Sequence, residues 1–106
     1  MLYLNVNEKV LAYWERTIDL YYNIHLGSLV DDIESVNLFI DKQTSVQDTV
    51  YRCELDVIPA NGQKISIALE LENCGAAIEQ IFAKARRSML RRIRGINEPK
   101  TVAQTG

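Results

Sequence analysis

Two consecutive stretches of strict two-residue alternation, joined by a tight-turn signal, constrain this chain more than anything else in it. Tyr51, Cys53, Leu55 and Val57 alternate with Arg52, Glu54 and Asp56; Ile65, Ile67, Leu69 and Leu71 alternate with Lys64, Ser66, Ala68 and Glu70. Successive side chains of a strand point to opposite faces, so each stretch has one face for a core and one for water. Between them, Pro59-Ala60-Asn61-Gly62 supplies one fixed dihedral and an Asn-Gly pair that accepts positive φ.

The rest of the chain arranges itself around that pair. Leu2, Leu4 and Val6 alternate as a short first strand. Asn7 suits a helix N-cap, and Val10, Trp14, Thr17, Ile18 and Tyr21 then recur at steps of three and four, the spacing of an amphipathic helix. Gly27, Ser28 and the Asp31-Asp32 pair break that period and predict a loop over 25–35. Val36, Leu38 and Ile40 mark a strand over 36–41, followed by a polar hairpin connection over 42–49. Asn73 can cap a second helix with Ile78, Ile81, Phe82, Ala85 and Met89 on its inner face, ending at Gly95.

The expected fold class is therefore α+β, in the order β-α-β-β-β-α. An antiparallel four-stranded sheet with two helices packed on one face would bury every apolar set just named. At 106 residues, with 47% hydrophobic and 25% charged, the chain has the length and composition of one domain, expected over 1–95 with a flexible tail over 96–106. That composition excludes a long disordered tract, a collagen-like repeat and a disulfide scaffold. No apolar run approaches the length of a membrane span and the start shows no basic leader with an apolar core, so a cytoplasmic protein without membrane contact is expected.

Catalytic chemistry finds little material. His25 is the only histidine and falls at a helix end, where a solvated or carbonyl-bonded imidazole is the ordinary role. Cys53 and Cys74 lack CxxC spacing and read as reduced thiols, Cys53 in the core. Asp31, Asp32 and Glu34 lack the spaced ligands and turning glycine of a calcium loop. No nucleotide-binding glycine motif or nucleophile elbow is present. The expectation is a protein that is not an enzyme and has no cofactor, metal site or small-molecule substrate.

Charge is the informative feature. The formal total is −2, yet Lys84, Arg86, Arg87, Arg91, Arg92, Arg94 and Lys100 crowd the last quarter of the chain against Glu98 alone. Lys84, Arg87, Arg91 and Arg94 fall within about 80° of one another on a helix, opposite its apolar face. A solvated helix face ordinarily mixes signs for i,i+4 pairing, but no acidic residue occurs from Ile81 to Arg94. An anionic partner explains such a face better than solvation. Arginine in preference to lysine suggests phosphate, whose oxygens its planar fork can hold in pairs. Tyr22 and Phe39 are the only fair candidates for base stacking, so shape and phosphate recognition of folded RNA is expected over reading of a single strand.

The element order and the last helix together resemble the ribosomal subunit interface family, the ribosome hibernation-promoting factors also known as sigma factor modulation proteins. The resemblance is carried by Asn73, Ala77-Ile78, Ile81-Phe82, Lys84, Arg87, Met89 and Arg91, and by the preceding strand-turn-strand with Asn61-Gly62. It implies a short form of the family that lodges on the small ribosomal subunit, covers the tRNA and mRNA channel and holds idle ribosomes inactive. The implied partner is 16S-type rRNA, faced by Lys84, Arg87, Arg91 and Arg94, with Arg86 on the same helix and Lys9 and Arg16 at the edge of the first. A monomer or weak dimer is expected. The alternatives are a double-stranded RNA-binding domain, although the entry to the last helix, Glu72-Asn73-Cys74-Gly75, lacks the lysines such domains carry, or a protein-interaction module that has lost ribosome binding, whose acidic first helix and basic last helix bind partners of opposite sign or each other's copies.

Overall fold

The structure is a computed structural model that describes the backbone of residues 2–97 and the side chains of residues 2–94. The element order is β1 (Leu2–Val6), α1 (Glu8–Leu26), a 3-10 segment (Gly27–Asp32), β2 (Ile33–Thr44), β3 (Thr49–Pro59), β4 (Ile65–Leu71) and α2 (Cys74–Asn97). The α+β class and the β-α-β-β-β-α order are those expected. The strands lie in the order β1-β2-β3-β4 in one sheet.

Both helix starts are built as their sequences predict. The Asn7 side-chain oxygen accepts from the Lys9 N–H at 2.9 Å, and the Asn73 side-chain oxygen accepts from the Ala76 N–H at 2.9 Å. Each closes one of the amides that a first helical turn leaves unpaired.

The sheet is mixed, which corrects the expectation of an antiparallel one. β1 pairs with β2 in parallel, Leu2 opposite Val36 and Val6 opposite Ile40, whereas β2–β3 and β3–β4 are antiparallel. The physical reason is the crossover: α1 runs back across the sheet, so the chain re-enters β2 in the direction in which it left β1.

Three boundaries also move. Residues 25–35 do not form a loop: α1 continues to Leu26, a 3-10 segment follows, and β2 already begins at Ile33. Leu26, Leu29 and Ile33 are buried there, so packing overrides the local breakers. The polar residues 42–44 belong to β2, paired with 49–51 of β3, which leaves a short turn over 45–48 closed by the Ser45 N–H donating to the Asp48 carbonyl at 2.7 Å. α2 passes Gly95 and reaches Asn97; residues 98–106, the rest of the expected tail, lie outside the described residues.

The core lies between the helices and one face of the sheet. Val36, Leu38 and Ile40 of β2 and Cys53, Leu55 and Val57 of β3 meet Cys74, Ala77, Ile78, Ile81, Phe82, Ala85 and Met89 of α2, with Val10, Ile18 and Leu26 of α1 closing the side. Every residue expected on the inner face of α2 is buried. Trp14, Thr17 and Tyr21 on the inner side of α1 are half-buried. Among the described residues no helix is long and apolar enough to cross a membrane.

Candidate nucleic-acid interface

The burial of α2 orients its cations. With Ile78, Ile81, Phe82, Ala85 and Met89 held in the core, the opposite side of the helix carries Lys84, Arg87, Arg91 and Arg94, and all four are exposed. From Lys84 to Arg94 they span about 15 Å along the axis at 1.5 Å per residue. Among the described residues, ion pairs join Arg52 to Glu54 at 3.0 Å and Lys64 to Asp56 at 4.0 Å, both on the sheet, and none engages an α2 cation.

Lys84, Arg87 and Arg91 line a cleft of about 410 Å³ whose other wall is Ser66, Ile67 and Ala68 of β4, with Ser88 beside them. β4 pairs only with β3, so it is an edge strand, and its outer edge forms this wall. The wall escapes sequence reading because an edge position is a property of strand order. The short side chains of Ser66 and Ala68, beside long cations, are the one signal that hints at room there.

The two remaining described α2 arginines face elsewhere. Arg86, half-buried, donates to the His25 carbonyl at 3.1 Å and reaches the Ser28 hydroxyl at 3.4 Å, so it satisfies the carboxyl end of α1, where orphan carbonyls and the helix dipole both favour a cation. Arg92 donates to the Gln63 carbonyl and lies over Gly62, whose φ of 117° is the left-handed geometry that the turn requires. The structure thus sets Arg86 apart from Lys84, Arg87, Arg91 and Arg94.

Lys9 and Arg16 are exposed on α1 but are not gathered with the stripe. The two helices run in parallel: Trp14 touches Gly75 and the His25 carbonyl meets Arg86, each pair 61 residues apart. On that register Lys9 lies about 20 Å, and Arg16 about 10 Å, before the level of Lys84 along the helix direction.

Of the two aromatic candidates, Tyr22 is half-buried with its ring edge-on to Phe82, centroids 6.0 Å apart, and Phe39 is exposed on the open face of the sheet. Neither lines the cleft. His25 stacks on Tyr21 at 6.0 Å, and its Nε2 is buried without a hydrogen-bond partner among the described residues. Burial pushes the Cys53 thiol up to about 12, with Cys74 contributing, and the Cys74 thiol up to about 11, which suits two packing thiols rather than a nucleophile. Among the described residues no three metal-ligating side chains cluster.

Fold and site together define a small α+β domain with an unopposed cationic helix face beside a free sheet edge. No protein-family model matches the chain, and no curated protein sequence is similar to it. Solved structures do share its fold: a ribosomal subunit interface protein from Coxiella burnetii superimposes with a TM-score of 0.70, over 88% of this chain and 97% of its own, at 7% identity. At that identity the likeness is one of fold.

Proposed function

We propose that this chain associates with the ribosome and restrains translation, laying Lys84, Arg87, Arg91 and Arg94 against rRNA phosphates of the small subunit so that the domain covers the tRNA and mRNA channel. One observation carries the reading: four exposed cations stand in a row on α2 with no acidic residue between Ile81 and Arg94, and three of them, Lys84, Arg87 and Arg91, line a cleft of about 410 Å³. Such a face repels itself in the free protein and is relieved by an anionic partner. The fold shared with a ribosomal subunit interface protein supports the choice of rRNA among polyanions. The role is one of binding and occlusion in the cytoplasm, suited to ribosomes held idle under stress or in stationary phase.

Sedimentation of stationary-phase extract through sucrose tests it. The protein is expected with the small subunit or with idle ribosomes, and Arg87→Glu with Arg91→Glu is expected to remain in the top fractions with an unchanged circular dichroism spectrum. Wild-type protein confined to the top fractions, or a variant that co-sediments as well as wild type, overturns the proposal.

A further inference from the structure

Among the described residues a second concavity lies apart from the α2 stripe and has a different chemistry. β1 ends at Val6, opposite Ile40, and the chain leaves the sheet for α1, while β2 continues to Thr44. The end of the β2–β3 hairpin therefore projects without a neighbour on its β1 side, and the first turns of α1 stand over it. The space between measures about 490 Å³ and is walled by Tyr13, Trp14 and Tyr51, with Lys9, Lys42 and Asp41 at its margin. Pockets that hold small organic ligands commonly occupy ~300–1,000 Å³ and combine aromatic walls with a few convergent polar groups.

Three observations identify an occupant. The walls are aromatic from two elements: Tyr13 and Trp14 on α1, ring centroids 5.1 Å apart and tilted by 60°, and Tyr51 on β3. Tyr13 is 79% exposed, so its ring contributes little to the core and presents a free face. Lys42 is the cross-strand neighbour of Tyr51, Lys9 lies on the first turn of α1, and neither is in an ion pair among the described residues, so the margin carries two cations against Asp41. Aromatic planes recognise a planar ring and ammonium groups recognise a phosphate, whereas the Asp41 carboxylate accepts from the Gln43 side chain at 3.4 Å and is on the other face of β2 from Lys42.

We infer that this pocket binds a nucleotide unit, its base against Tyr13, Trp14 and Tyr51 and its phosphate at Lys42 and Lys9, either as a free nucleotide or as an unpaired nucleotide of an RNA strand. The inference stands apart from ribosome association, because the pocket residues of α1 lie about 14–21 Å before the level of Lys84 along the helices and the pocket shares no residue with the cleft.

Trp14 is the only tryptophan, so its fluorescence reports occupancy directly. The full chain is titrated with the four ribonucleoside monophosphates, adenosine, inorganic phosphate and a short single-stranded RNA. Saturable quenching by at least one monophosphate is expected, with adenosine weaker and phosphate silent. Tyr13→Ala and Lys42→Glu, both at exposed positions, are each expected to weaken binding about tenfold with an unchanged circular dichroism spectrum. Arg87→Glu with Arg91→Glu is expected to leave the mononucleotide titration unchanged, which separates this site from the stripe. Monophosphates without effect, together with RNA quenching that Lys42→Glu abolishes, assign the unit to a strand. No saturable change with any probe up to about 10 mM, or Tyr13→Ala and Lys42→Glu variants that bind as wild type does, overturns the inference.

Discussion

The indole of Trp14 lies against the backbone of Gly75, close to where a side chain would begin: a Cβ built on Gly75 stands 3.2 Å from Cζ3 and 3.4 Å from Cη2 of that ring. The contact joins α1 to the first turn of α2 and orients one wall of the aromatic pocket. Gly75→Leu is expected to displace the indole and cost about 1–3 kcal/mol, as over-packing does elsewhere. Urea unfolding followed by Trp14 fluorescence checks both effects; an unaltered midpoint and emission maximum would show that the ring does not depend on this glycine.

Arg86 and Arg87 are sequence neighbours with opposite tasks, one tied to the end of α1 and the other exposed in the cleft. Arg86→Ala is expected to lower stability by about 1–2 kcal/mol while leaving RNA affinity nearly intact, because a bond from a charged donor to an orphan carbonyl is lost. Arg87→Ala is expected to change stability by less than about 0.5 kcal/mol, as at other exposed surface positions. Under the rRNA contact proposed above, it should make the salt dependence of ribosome binding shallower by about one contacted phosphate, roughly 0.7–0.9 in the log-log slope. Urea midpoints and co-sedimentation across a salt series separate the two.

The buried thiols make stability fall in alkali. Cys53 is raised from 9.0 to about 12 and Cys74 from 9.0 to about 11, so between those limits the unfolded chain loses thiol protons that the folded chain keeps. Their stabilisation is complete below pH 9 and declines as pH rises through the folded values, by up to about 1.4 kcal/mol per pH unit for each thiol. Urea unfolding at pH 8 and pH 10 measures the decline, and a Cys53→Ala, Cys74→Ala variant should show less of it. In the same window, alkylation by iodoacetamide is expected to be slow in the folded protein and rapid in urea.

Much of the architecture is legible along the chain because its signals are local. The alternation at 51–57 and 65–71 gives two strands with their faces assigned, the capping oxygens of Asn7 and Asn73 mark two helix starts, and the period of α2 separates Ile81 and Met89 from Lys84 and Arg91. Breakers misled at 27–32, where Gly27 and the Asp31-Asp32 pair predict a loop but burial of Leu26 and Leu29 holds the chain in helical turns. The direction of β1 is likewise silent in sequence, since Leu2, Leu4 and Val6 alternate identically in either orientation.

By itself the sequence determined that α2 has an apolar side and an unopposed basic side, because both follow from which residues recur every three or four positions. Tertiary structure alone decided what each cation does. Arg86 meets a carbonyl 61 residues away, Arg92 closes over the β3–β4 turn, and Lys84, Arg87 and Arg91 face the edge of β4, with Arg94 exposed on the same side of the helix. It likewise brought Tyr13, Trp14 and Tyr51 to one pocket from elements far apart in the chain. The reason is that periodicity specifies an angle about a helix axis, whereas a partner at that angle exists only once another segment has packed there.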